Sequence, residues 1–145
     1  TESVPVKMGV DFGDLLIAAT TPHAGKMADR FSKDLGEIAS AIPTQKDAIR
    51  SIRNFIESEL QDAQEAIASC EQDKRDSMKA GKKEPNEALG AAFQIMAYAT
   101  IISDMRKKKR ATELMLKEMD SWPPTGLPIR EVLSKLEQIA RFYLK

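Results

Sequence analysis

A long apolar seam at helical spacing is the feature that most constrains how this chain folds. From Ile49 to Cys70, apolar side chains recur three or four residues apart, whereas charged and amide side chains fill most other positions. This spacing places the apolar residues on one face of an α-helix. The seam covers about six turns, roughly twice the length of an average helix in a globular protein. Its members are Ile49, Ile52, Ile56, Leu60, Ala63, Ile67 and Cys70.

A turn and a second long helix follow the seam. Within residues 81–86, Gly81 suits the C-terminus of a helix and Pro85 suits the start of the next one. The pattern therefore predicts helices over residues 44–80 and 86–120. Because the connection is short, the two helices should be antiparallel neighbours and form a hairpin.

Shorter helices flank this hairpin. The sequence predicts a short helix from Asp11, a restart at Thr21-Pro22, and a last helix that Pro128 opens. The first half of the helix 86–120 is apolar on nearly every side, so it needs cover on several sides. We therefore expect an all-α fold, a helical bundle of four to five helices built on the long antiparallel hairpin.

Length and charge place the chain in an ordinary globular class. At 145 residues it suits a single helical-bundle domain over residues 10–145, preceded by a flexible tail over residues 1–9. It carries 22 basic and 22 acidic residues, so its net charge exerts no general attraction on nucleic acid or acidic membranes. The longest apolar run, residues 88–102, is shorter than the roughly 20 residues that span a bilayer.

Histidine and cysteine are too scarce for the common metal sites. The chain has one histidine, His23, and one cysteine, Cys70, far apart in sequence. Zinc sites and di-iron helical bundles need more ligands than these. Cys70 lies on the apolar seam and is expected to be an inert core residue. We also find no nucleophile paired with a base and no glycine-rich phosphate loop, so we expect a protein that is not an enzyme and has no cofactor.

The single cysteine also gives an indication of the cellular compartment. It cannot form an intramolecular disulfide within this sequence, which favours a reducing compartment. We therefore expect a cytoplasmic location. A nuclear location is the alternative if the basic run described next acts as an import signal.

Five consecutive basic residues follow the apolar half of the second long helix. They sweep about 400° around a helix, so they face every direction. One interpretation is an anion site for nucleic acid or anionic lipid, although no stacking aromatic residues lie near the run in sequence. The other is a set of ion pairs within the hairpin, because a turn near residue 83 would place Lys108 beside Ser58 in an acidic stretch. The run is Arg106, Lys107, Lys108, Lys109 and Arg110.

The leading functional hypothesis is a non-enzymatic, coiled-coil-like interaction or assembly protein. Such a scaffold would form a homo-oligomer or dock a protein partner through its long hairpin, because one neighbouring helix cannot cover the apolar surface of residues 86–120. Large, flexible apolar side chains suit contacts of this kind. For the large apolar residues near the end of the helix 86–120, the alternative is that they pack beneath the last helix. The residues predicted to contact a partner are Ile95, Met105, Met115, Met119 and Trp122. The alternative function is a polyanion-binding module that uses residues 106–110.

Overall fold

The computed structural model describes residues 26–83, 85–123 and 126–145, and these residues fold as an all-α bundle with a long hairpin. No β-strand occurs within these ranges. The predicted fold class is therefore confirmed. The expectations for residues 1–9, the helix from Asp11 and the restart at Thr21-Pro22 lie outside the described ranges. The elements are α1 (Lys26–Ala41), α2 (Gln45–Lys83), a single 3-10 turn (Pro85–Glu87), α3 (Ala88–Asp120) and α4 (Ile129–Tyr143).

Local sequence signals set the starts of α2 and α4. The main-chain N–H of Asp47 donates to Thr44 Oγ1 at 3.3 Å, and the Thr44 hydroxyl donates to Asp47 Oδ2 at 2.7 Å. The Thr44 hydroxyl oxygen thus caps the first turn of α2 by accepting the main-chain N–H of the residue three positions later. Pro128 precedes α4, and its carbonyl accepts the main-chain N–H of Val132 at 3.0 Å.

The end of α2 differs from the prediction. Gly81 was expected to terminate the helix, but α2 continues through it to Lys83. Gly81 has a packing role within the helix instead, because a Cβ atom at Gly81 would lie 3.0 Å from the Cβ of Ala91. Glycine at this position lets the backbones of α2 and α3 approach each other, and the turn falls a few residues later than expected.

Two compact units can be distinguished among the described residues, and each long helix contributes to both. The core unit comprises residues 26–62, 107–123 and 126–145, and the hairpin unit comprises residues 63–83 and 85–106.

The core unit has a closed apolar core. Each of its four helices supplies a side chain with almost no exposed surface, namely Leu35, Ile52, Met115 and Leu136. The rings of Phe31 and Phe55 pack at a centroid distance of 5.2 Å. Burying a large apolar side chain stabilises a fold by about 1.5–3 kcal/mol, so this unit is held together by contacts among all four helices.

The described part of the hairpin unit contains only α2, the 3-10 turn and α3. Small residues, including Ala63 and Ala97, are fully buried there. Ser77 Oγ donates to Gln94 Oε1 at 2.8 Å, so these two residues face each other across the two helices. Small residues that face each other let the two helices pack closely, but this contact buries little of the apolar surface of α3.

Candidate interaction surfaces

An apolar stripe on α3 is the most prominent exposed feature of the hairpin unit. Leu89, Ala92, Phe93 and Met96 are spaced i, i+3, i+4 and i+7, which puts them on one face of the helix. Leu89, Phe93 and Met96 are 71%, 48% and 64% exposed. We call these four residues the apolar stripe. On α2, Met78 adds a further apolar side chain that is 44% exposed.

The stripe is exposed because α3 is apolar on all sides and α2 packs against only one of its faces. Ala91, Ala97 and Ile102 are buried on that face. In the most apolar 18-residue window of α3, only 17% is buried. By length and composition α3 could cross a membrane, but core helices of soluble proteins share both properties, so this is weak evidence for a span.

The residues predicted to contact a partner lie in varied environments. Met115 and Met119 are buried in the apolar core of the core unit and do not offer their side chains to a partner. Ile95 and Met105 are half-buried in the hairpin unit. Trp122 packs partly against the core, and its Nε1–H donates to Glu118 Oε2 at 2.9 Å.

Sequence reasoning did not single out the apolar stripe. The i, i+3, i+4, i+7 pattern of Leu89, Ala92, Phe93 and Met96 is visible in the sequence. However, other faces of the same segment are almost as apolar, so the pattern alone does not tell which face α2 covers.

Two members of the basic run make ion pairs with α2. Lys108 Nζ lies 2.6 Å from Glu59 Oε1, and the two side chains are only 19% and 24% exposed. Arg106 Nη2 lies 2.8 Å from Glu71 Oε2 on the surface. The predicted partner region for Lys108 was Ser58 and the acidic residues around it, so the ion-pair interpretation holds for these two residues.

Other members of the basic run contact the end of the chain's last helix instead. Lys107 Nζ donates to the main-chain oxygen of Lys145 at 2.9 Å. The Arg110 guanidinium lies 5.5 Å from the centroid of the Tyr143 ring. Lys109 is half-buried. The described contacts of the five basic residues therefore differ from one residue to the next.

Cys70 has the properties of a core residue. Burial, with a smaller contribution from the nearby negative charge of Asp73, raises the pKa of its thiol to about 11. Such a thiol is almost entirely protonated at neutral pH and is a poor nucleophile. Burial also raises the pKa of Tyr98, with smaller contributions from Asp73, Cys70 and Asp76.

Metal coordination and similarity to known proteins give no further guide to function. Among the residues that the structure describes, no three His, Cys, Asp or Glu side chains are placed to hold a metal ion. His23 lies outside those residues. No protein-family model matches the chain, and no curated protein and no solved structure is significantly similar to it.

Proposed function

We propose that this chain is a non-enzymatic helical assembly protein that self-associates through the apolar stripe of α3. The observation that carries the proposal is the exposure of Leu89, Phe93 and Met96 on one face of a long helix. Contiguous apolar surface of this kind is typical of protein contacts rather than of a solvated helix face. Helices with an apolar face are stable when a second layer covers that face.

A second copy of the chain can supply that layer. The stripe is a short, straight helical face, and such a face can pack against itself about a two-fold axis. In an antiparallel arrangement centred between Ala92 and Phe93, Leu89 of one copy would lie opposite Met96 of the other. Ala92 is small and would allow the two helices to approach closely at the centre.

The area of the surface sets the expected strength of the contact. If each large side chain offers roughly 200 Å², the fractional exposures of Leu89, Phe93 and Met96 correspond to about 350–400 Å² per copy. Two copies would bury less than the roughly 1,200 Å² at the lower end of stable interfaces. We therefore expect a dimer that dissociates on dilution in the micromolar range.

Light scattering on a sizing column, over protein concentrations from about 1 μM to 1 mM, tests the proposal. The wild-type mass should rise toward that of a dimer as the concentration increases. Phe93→Asp and Met96→Asp should shift the transition to at least tenfold higher concentration, because each buries a charge within the interface. Helicity measured by circular dichroism should not change.

Phe142→Asp is the matched control. Phe142 is an exposed phenylalanine of the core unit, and its replacement introduces the same charge outside the stripe. This variant should dimerise like the wild type. A wild-type chain that stays monomeric up to 1 mM would refute self-association and direct the search to a partner with its own amphipathic helix.

A further inference from the structure

A cluster of basic and aromatic side chains lies at the end of α4 in the core unit. The rings of Phe142 and Tyr143 meet edge to face at a centroid distance of 4.8 Å. Arg110 lies over the Tyr143 ring at 5.5 Å, and Lys145 Nζ lies 5.9 Å from the centroid of Phe142. Lys107 joins the cluster through its 2.9 Å hydrogen bond to the Lys145 carbonyl. We call these five residues the aromatic–basic patch.

The cations of this patch keep their charge available to a ligand. Lys107, Arg110 and Lys145 are exposed, and none of them forms an ion pair with a carboxylate among the described residues. Lys108, by contrast, is held by Glu59 at 2.6 Å. Among the described residues, the patch therefore offers three cationic side chains that are not paired with an Asp or Glu carboxylate.

An exposed ring accompanies these charges. Phe142 is 67% exposed, which is unusual for a phenylalanine next to a closed core. A shallow groove of about 220 Å³ adjoins it, lined by Lys135, Gln138, Ile139 and the two rings, with Glu118 at its side. The amide of Gln138 can both donate and accept hydrogen bonds. A planar aromatic ligand can thus stack on Phe142 with its polar edge near the groove.

We infer that the aromatic–basic patch binds single-stranded nucleic acid, with phosphates on Lys107, Arg110 and Lys145 and a base stacked on Phe142. Alternating cations and stacking rings are what proteins use to hold unpaired strands without reading their sequence. A duplex would leave the exposed ring unused, because its bases are already stacked. A membrane is less suited to the patch, since Phe142 is its single strongly exposed apolar side chain and gives little area to insert.

This inference is independent of the proposed self-association, because the apolar stripe contributes no residue to it. It also replaces the idea of a five-residue anion site. Arg106 and Lys108 serve ion pairs with α2, and the aromatic partners come from α4, more than thirty residues further along the chain.

Fluorescence anisotropy with labelled 12-nucleotide oligo(dT) and oligo(rU), titrated with the full chain at 50 mM salt, tests the inference. Three phosphate contacts predict that the logarithm of the association constant falls with the logarithm of salt concentration at a slope of about −2. Phe142→Ala should weaken binding about 5- to 100-fold and leave that slope unchanged, because stacking is not ionic. Arg110→Gln should weaken binding and reduce the magnitude of the slope by about 0.7.

Two matched variants serve as controls. Phe93→Ala removes an exposed phenylalanine from the hairpin unit, and Lys46→Gln removes an exposed lysine at the start of α2. Both should bind like the wild type. Since Phe142 is mostly exposed, Phe142→Ala should also melt at the wild-type temperature.

Four outcomes would overturn the inference. These are no binding of either oligonucleotide at 50 mM salt, equal affinity of Phe142→Ala and wild type, and binding of a 12-base-pair duplex as tightly as of the single strand. The fourth is binding to phosphatidylserine vesicles without binding to either oligonucleotide, which would identify the patch as a lipid contact. Preference for oligo(rU) over oligo(dT), or the reverse, would support the inference and show which of the two probes the patch favours.

Discussion

Residues of the same type serve different purposes in this chain, and their surroundings decide which. Met115 is fully buried among four helices, whereas Met96 is 64% exposed on the apolar stripe. Both occupy apolar positions of one helix and look alike in the sequence. Their contribution to the stability of the monomer should therefore differ widely.

We expect Met115→Ala to lower the free energy of unfolding by about 2–5 kcal/mol, since it removes buried contacts and leaves a cavity. Met96→Ala should change it by no more than about 0.5 kcal/mol. Urea denaturation followed by circular dichroism, at a concentration where the chain is monomeric, measures both. Similar losses for the two variants would mean that Met96 is buried in the monomer.

Cys70 gives a prediction that depends on pH. Burial raises the pKa of its thiol from 9.0 to about 11 in the folded chain, so the thiolate fraction at pH 8 is about 100-fold smaller than in the unfolded chain. Reaction with a disulfide reagent at pH 8 should be slower in native buffer by at least that factor than in 6 M guanidinium. Equal rates would show that Cys70 is exposed.

The same shift links stability to pH. The folded state holds the Cys70 proton more tightly than the unfolded state does. The stabilisation is complete below the unfolded pKa and is lost as the pH rises through about 9 to about 11. In Cys70→Ala this part of the alkaline decline should be absent, which separates it from the titration of other groups.

At the scale of elements, glycines show where helices touch. Gly81 lies in α2, and a Cβ there would lie 3.0 Å from the Ala91 Cβ. Gly36 lies in α1 and has no atom within 4 Å of the same position. Replacing a helical glycine by alanine should stabilise a helix by about 0.5–1 kcal/mol when space is free.

We therefore expect Gly36→Ala to raise the melting temperature and Gly81→Ala to leave it unchanged or lower it, because Ala91 must move to accommodate the new methyl group. Differential scanning calorimetry of both variants gives the comparison. Gly90→Ala, where the new Cβ also meets no atom within 4 Å, is a second control. Equal stabilisation by all three substitutions would show that α2 and α3 are not closely packed at Gly81.

The elements also show how far the sequence could predict the structure. The seam of α2 has one clear apolar face, and its buried members Ile52, Ile56 and Ala63 follow from periodicity alone. The apolar half of α3 has no single favoured face, so periodicity could not decide that Leu89 is exposed and Ala97 buried. This choice depends on the close approach of α2, which is a tertiary contact.

Candidate sites were harder to predict than helices because they combine distant segments. The ion pair of Lys108 with Glu59 could be anticipated within one residue, since the hairpin turn fixes which residues face each other. The contact of Arg110 with Tyr143 could not, because nothing in the sequence fixes where α4 packs. The stacking aromatics that the basic run lacks in sequence are therefore supplied only by the fold.

At the scale of the whole molecule, the net charge is zero and the two proposed surfaces depend on different physical interactions. With 22 basic and 22 acidic residues, two copies of the chain do not repel each other strongly. Contact through the apolar stripe depends on removing apolar surface from water, whereas contact through the aromatic–basic patch depends on neutralising phosphates. Salt should therefore act on them differently.

We expect self-association to change less than threefold between 50 and 500 mM sodium chloride and to strengthen in ammonium sulfate, because sulfate favours burial of apolar surface. Sedimentation equilibrium in each salt provides the measurement. In the same range, oligonucleotide binding should fall about 100-fold, as a slope of about −2 requires. Phe93→Asp should weaken self-association and spare oligonucleotide binding, whereas Phe142→Ala should weaken oligonucleotide binding and spare self-association. If sodium chloride instead dissociates the dimer, its contact is ionic and the stripe is not the interface, since none of Leu89, Ala92, Phe93 and Met96 carries a charge that salt could screen.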